Sequence, residues 1–441
     1  MSHPLLTAPI GRSLLRLAGP TTGIMVVQLL CAIADTWLVA QRGLDAMAGI
    51  ALVLPFIVLM MNIANGGMGG AVASALARAL GANRQEDARA LVLHALVLGV
   101  AVALAFGVLA WTLGPMTFRA MGGEGAALAE ALAYTRLWFS GAILLWTTAF
   151  LSALLRGAGD SATPARIGLV TTFVYLPLAA GLILTSGLLG AAAASLLATA
   201  FNVVLLVRAL QRGRLGFAPA FRGVRLQRRL FTEILRIGAL GSITTVTASF
   251  TAVVVTGLVG QFGTAALAGY GIGIRLEFMV SPVAFGIGTG AVTLVGIAAG
   301  AGDWRRALRV AWIAGLSAFL FIGAMGWAIA LLPETWSRLF TQEPDVVAAS
   351  VAFLTRVAPF HCLFGLGLTL YFASQGAGRM TAPVLAGLAR TLVATGGGWL
   401  LTERLGWGLN GVFVAIAAGL VVYGCLIAGA LLLAPWRPRR T

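Results

Sequence analysis

The chain has 441 residues, 59% of them hydrophobic and only 10% charged. Water-soluble proteins carry about 25% charged residues, so this composition excludes a soluble globular protein and makes a bilayer the solvent. A net charge of +16 would suit nucleic acid, but all thirty basic residues are arginines and most lie in short segments between apolar runs, which is the pattern of membrane topology rather than of a phosphate-binding face.

A spanning helix needs about 20 apolar residues. Arg12 and Arg16 precede an apolar stretch too long for a signal-peptide core, which reads as a first membrane helix that stays attached. The predicted spans run near 15–39, 46–77, 91–113, 132–154, 165–185 and 188–209, then 235–259, 266–298, 310–332, 350–373, 383–402 and 409–434. The basic segment 210–230 is a linker between a six-helix lobe at 1–209 and another at 231–441. Cys31, Cys362 and Cys425 all fall inside apolar runs, with neither a disulfide framework nor metal-ligand spacing, and no cofactor is expected. His94 and His361 read as packed side chains.

The halves repeat. Leu15-Arg16-Leu17 returns 220 positions later as Leu235-Arg236-Ile237, Ala46-Met47-Ala48-Gly49 as Ala266-Leu267-Ala268-Gly269, and Gly70-Ala71-Val72 as Gly290-Ala291-Val292. Further on the register slips by one residue: Gly157-Ala158-Gly159 with Pro164 recurs as Gly376-Ala377-Gly378 with Pro383. Internal repeats of this kind mark secondary transporters.

Arginine sets the orientation. Arg78, Arg84 and Arg89 flank loop 2–3, Arg156 and Arg166 flank loop 4–5, and Arg212, Arg214, Arg222, Arg225, Arg228 and Arg229 fill loop 6–7. Loop 8–9 holds Arg305, Arg306 and Arg309, and Arg437, Arg439 and Arg440 close the chain. The odd loops dilute fewer arginines with acids, such as Arg119 and Arg136 with Glu124 and Glu130. By the positive-inside rule both termini and the even loops are cytoplasmic. With six spans per half, the lobes are parallel and related by a pseudo-two-fold along the membrane normal; the expected fold is all-α and integral to the membrane, with substrate in the cleft between halves.

An ionisable side chain at mid-membrane costs roughly +2.5 to +3.5 kcal/mol on insertion scales and needs a reason to be there. Asp35, in Leu30-Cys-Ala-Ile-Ala-Asp35-Thr-Trp, sits about 10 Å below the outer end of helix 1 at ~1.5 Å per residue. Its repeat partner is Val255, so the acid is not part of the shared scaffold. Glu277 follows Arg275 by two residues on helix 8, so the two do not face each other on a continuous helix and at least one looks elsewhere for a partner. Asp35 first and Glu277 second are therefore candidates for a functional role. Helix 2 carries Met60, Met61 and Asn65 beside a glycine run, and helix 8 carries Phe278 after Glu277. Glycines permit close helix approach and methionines repack around varied ligands, so Met60, Met61, Asn65, Arg275 and Phe278 are candidates to line a substrate cavity.

Gly43-Leu-Asp-Ala-Met-Ala-Gly49, Ala77-Arg78-Ala-Leu-Gly81, Leu155-Arg156-Gly-Ala-Gly-Asp160-Ser-Ala-Thr-Pro164 and Arg275-Leu-Glu277, taken in order over nearly the whole chain, resemble the multidrug and toxic compound extrusion (MATE) family. The resemblance implies twelve helices in two six-helix lobes and export of mainly cationic, amphipathic compounds in exchange for H⁺ or Na⁺. It matches Asp35 to the helix 1 acid of the bacterial proton-coupled branch. Where other branches place an Asn and an Asp on helix 5, this chain has Phe173 and Pro177; where they place acids on helices 7 and 10, it has Ala248 and Phe364. Those departures count against a Na⁺ site, and the resemblance leaves Asp35 and Glu277 as the cation-coupling candidates.

The implied protein is a monomeric, multi-pass transporter of the bacterial inner membrane whose partners are small drugs or toxins, H⁺ or Na⁺, and lipid, with no nucleic acid. The alternative is a flippase for lipid or lipid-linked oligosaccharide, of the same superfamily; it calls for an excess of basic residues inside the membrane, whereas Asp35 and Glu277 stand against Arg275 and Arg390. An intramembrane enzyme lacks its chemistry here: there is no Asp-rich diphosphate motif, no His-Glu-x-x-His and no nucleophile with a base; an ATP-driven pump lacks its Gly-x-x-x-x-Gly-Lys loop.

Overall fold

In hydrocarbon every backbone N–H and C=O must be paired within the protein, which leaves helices and closed barrels as the spanning structures. The computed structural model describes residues 3–219 and 225–436 and builds every apolar run as helix. The first half has α1 (Ile10–Ala40), α2 (Leu44–Gly81) and α3 (Gln85–Ala120), then α4, a pair (Gly125–Ser140 and Ala142–Gly157) bent by 49°. A 50-residue helical stretch, Ala162–Gln211, contains Gly187 at φ 61°, ψ −139°, and that non-helical residue divides it into α5 (162–186) and α6 (188–211). The second half has α7 (Arg228–Gly260), α8 (Thr264–Gly300), α9 (Trp304–Leu331), α10 (Pro344–Gly376), α11 (Thr381–Arg404) and α12 (Gly408–Leu433). The expected six plus six spans are present. Arg222, Arg437, Arg439 and Arg440, counted above toward the basic loops, lie outside the described residues.

The sequence repeat is also a backbone repeat. Gly43 (φ 97°) breaks the chain between α1 and α2, and Gly263 (φ 96°), 220 positions on, breaks it between α7 and α8. Gly187 (φ 61°) and Gly406 (φ 67°), 219 apart, separate α5 from α6 and α11 from α12. Glycine adopts these left-handed angles without the steric penalty of a Cβ. Close approach repeats too: a Cβ on Gly157 would fall 2.6 Å from the Ala73 carbonyl oxygen, and one on Gly376 2.6 Å from that of Val292. Gly157 and Gly376 are 219 apart, the slipped register of the sequence, and the residues they meet are also 219 apart, one residue off the 220 register of the Gly70-Ala71-Val72 match.

Packing divides the chain into two compact units, Met1–Gly19 with Gly81–Asn83 and Ala239–Thr441, and Pro20–Leu80 with Arg84–Gly238. The chain passes from one to the other inside α1 and again, at the matching repeat position, inside α7. Within the first unit Phe353 lies edge-on between Tyr270 (5.5 Å) and Phe413 (5.3 Å), among buried Leu276, Val280 and Val357. Within the second, Trp146 packs against Phe106 (5.8 Å) and Phe150 (5.4 Å). Such pairs contribute about 0.5–1.5 kcal/mol each beyond their buried area. Outward residues such as Leu104, Val108, Leu320 and Leu392 are apolar and exposed, a surface suited to lipid.

Polar contacts pin the basic loops. The start of α7 is tied to α2 and α3 by Arg78–Glu233 (2.9 Å), by Arg229–Asp87, and by the Gln227 N–H donated to His94 Nε2 (2.7 Å). Arg229 hydrogen-bonded to Asp87, ahead of the apolar part of α3, holds that carboxyl below its usual range. In the other unit Arg306 donates to the carbonyls of Leu5 (2.9 Å) and Ala8 (2.5 Å). The N-terminal segment and loop 8–9 therefore meet at one end of that unit.

Candidate functional site

Asp35 lies on α1 among residues that give it one strong partner. The Tyr175 hydroxyl of α5 donates to Asp35 Oδ2 at 2.6 Å, while Oδ1 is buried and has no hydrogen-bond partner among the described residues. Cys31 precedes Asp35 by one turn of α1, and Tyr134 of α4 is buried in the same unit. Tyr175 is held in place from behind: Asn202 of α6 donates its amide to the Thr171 hydroxyl at 2.8 Å, clasping α5 to α6 one turn from Tyr175. A charge-assisted hydrogen bond is worth about 1.5–3 kcal/mol, and a buried acceptor left unmade costs about 1–3 kcal/mol. One oxygen of Asp35 is thus stabilised as an acceptor, and the other carries the cost of an unmade bond. Phe173, two residues before Tyr175, is 69% exposed and Pro177 follows two residues after, so neither adds an oxygen to the site.

Glu277 belongs to a separate cluster, wholly within the other unit. Its carboxylate lies 3.9 Å from Nε2 of His361, whose ring is fully buried and whose Nδ1 contacts the Val357 carbonyl at 3.2 Å. Arg275 turns away, its guanidinium stacked 4.4 Å over Phe340. The two-residue spacing required such a separation. Arg390 of α11 rests over Phe364 (5.3 Å) and Tyr423 (5.6 Å), and Phe364 in turn meets the His361 ring edge-on at 6.3 Å, which places Arg390 in the neighbourhood of Glu277.

The remaining candidates scatter. Met60 is fully buried, so of the pair it is Met61, 36% exposed, that presents surface; Asn65, one turn on, donates its amide to the Met61 carbonyl at 3.0 Å. Phe278 is exposed. Neither Tyr175 nor Asn202 stands out in the sequence as part of the Asp35 site. The available signal was weak: a polar group in an otherwise apolar span, two residues from Pro177 in the case of Tyr175. His361, read as a packed side chain, is packed, and it also faces Glu277.

The family model MatE matches residues 20–180 and 242–400. The chain is 28% identical to the probable multidrug resistance protein NorM of Thermotoga maritima, over 98% of this chain and 94% of that one. It is 26% identical to the FAD transporter of Shewanella oneidensis, over 84% and 83%. Among solved structures, an outward-facing multidrug resistance MATE family transporter of the MOP superfamily superposes with a TM-score of 0.90 at 22% identity, covering 98% of this chain and 99% of that one. A MOP superfamily transporter from Pyrococcus furiosus gives 0.90 at 23%, over 97% of each.

Proposed function

This chain belongs to the MatE family of transporters, and from that membership we propose that it exports small organic compounds, mainly cationic, across the bacterial inner membrane in exchange for H⁺ (or Na⁺). The relatives named as multidrug resistance proteins support that cargo class. The observation that carries the exchange is Asp35: one oxygen held by the Tyr175 hydroxyl, the other buried without a partner. Protonation satisfies Oδ1 and removes the charge; a cationic substrate satisfies the carboxylate as an ion. The two states exclude one another, so each ligand weakens the other's binding by the same factor. A proton entering from outside displaces the substrate, and alternating access turns that competition into export. One phenol hydroxyl beside the acid is a small oxygen set for Na⁺, which favours the proton.

On this reading the protein acts as a monomer with both termini cytoplasmic. The purified chain in proteoliposomes tests it. An imposed pH gradient should drive accumulation of fluorescent organic cations, and a matched Na⁺ gradient should not. Accumulation indifferent to both gradients contradicts ion-coupled exchange.

A further inference from the structure

Arg390 is a charge that the coupling scheme does not use. It lies nine residues into α11, about 13 Å from the helix start at ~1.5 Å per residue, and the hydrocarbon core is only about 30 Å thick. An arginine at that depth ordinarily finds an acid. Among the described residues no carboxylate pairs with it. Glu277 is the acid of the same neighbourhood, yet its carboxylate stands against His361.

The side chain is nevertheless held in a built seat. Its guanidinium carbon lies over the rings of Phe364 (α10) and Tyr423 (α12), within reach of cation–π attraction from both. Two glycines make the seat. A Cβ on Gly419 would come within 3.2 Å of the Arg390 carbonyl oxygen and 3.6 Å of its Cγ, and one on Gly367 would fall 2.6 Å from Cδ1 of the Tyr423 ring. Arg390 is itself half-buried. Cation–π attraction engages the charge of a guanidinium without consuming its N–H donors, and those donors match the two oxygens of a carboxylate or phosphate.

We infer that Arg390, seated on Phe364 and Tyr423, is a binding site for an acidic group of the transported compound, an organic carboxylate or phosphate monoester. This rests on the reading of the chain as an exporter of small organic compounds and deepens it: a positive charge is not a condition for being cargo, and acidic or zwitterionic compounds are recognised here. Asp35 carries the coupling; Arg390 selects.

Equilibrium binding to the purified full chain in nanodiscs, with two matched pairs of fluorescent probes, tests it. Rhodamine 110 carries a free carboxylate that its methyl ester, rhodamine 123, lacks; flavin mononucleotide carries a phosphate that riboflavin lacks. In the wild type the acidic member of at least one pair should bind about tenfold or more tightly than its partner, the scale of a hydrogen bond to a charged group. Which pair shows the preference tells carboxylate from phosphate. Arg390→Gln should abolish the preference and leave the ester or riboflavin unchanged, Arg390→Lys should keep part of it, and Phe364→Leu, which loosens the seat, should reduce it. No preference in either wild-type pair, absence of binding included, overturns the inference without recourse to any variant. Equal weakening of both members by Arg390→Gln makes the arginine structural and also overturns it. Transport is not the readout, so a chain that binds acids through Arg390 yet exports nothing sinks the export reading alone.

Discussion

Alanine at Gly157 or Gly376 should destabilise the protein by similar amounts, because the two glycines make one contact in two copies. The new Cβ would lie 2.6 Å from a carbonyl oxygen in each case, and additionally 2.9 Å from the Ala73 Cα or 3.1 Å from the Val292 Cα. Ordinary contact begins at 3.4 Å, so the backbones must part by 3.4 − 2.6 = 0.8 Å in either unit. The opposing atoms are main chain and cannot rotate aside. Overpacking of this kind costs about 1–3 kcal/mol, which for units of this size lowers the melting temperature by roughly 2–12 °C. Gly181 is the control: it faces outward on α5, a Cβ there meets nothing within 4 Å, and alanine is a better helix former. Thermal unfolding of the three variants in one detergent, followed by tryptophan fluorescence, makes the comparison. If Gly157→Ala and Gly376→Ala melt no lower than Gly181→Ala, the close approach is not what those glycines are for.

The Asp87–Arg229 contact gives a pH dependence. Because Arg229 holds the Asp87 carboxyl below its usual range, its stabilisation is present above the unfolded value and is lost as pH falls through the depressed one; melting curves at descending pH should show this loss in the wild type and not in Asp87→Asn. Asn202→Leu removes the clasp that holds α5 beside α6, so transport should fall while membrane expression is kept; unchanged transport would show that Tyr175 is positioned without it. Reporter fusions after residues 215 and 435 should both give cytoplasmic signals, and a periplasmic signal at either would overturn the orientation drawn from the arginines.

The spans were legible because apolar length is dictated by the bilayer, and even the gap between 185 and 188 anticipated the break at Gly187. The repeat was legible because glycines that fix the backbone, Gly157 and Gly376 among them, cannot drift. What was not legible depends on the third dimension. Tyr175 meets Asp35 from 140 residues away, and no local pattern distinguishes that tyrosine from one placed for packing. His361 and Glu277 meet across α10 and α8 at a helix interruption, Ala358–Phe360, that hydropathy does not register. The passage of α1 and α7 between packing units was hidden for the same reason: each helix runs on without interruption through Gly19 and Gly238.

The central claim is that proton and substrate compete for Asp35, and the most direct measurement is substrate binding against pH for the wild type and Asp35→Asn, beside gradient-driven transport in the same preparations. The account predicts that the wild type releases a fluorescent cation as pH falls. The variant should fold and reach the membrane, bind with almost no dependence on pH, and fail to accumulate substrate under a pH gradient. Asp35→Asn transporting at the wild-type rate, with pH-dependent release intact, would contradict it and move the search for the coupling acid to Glu277.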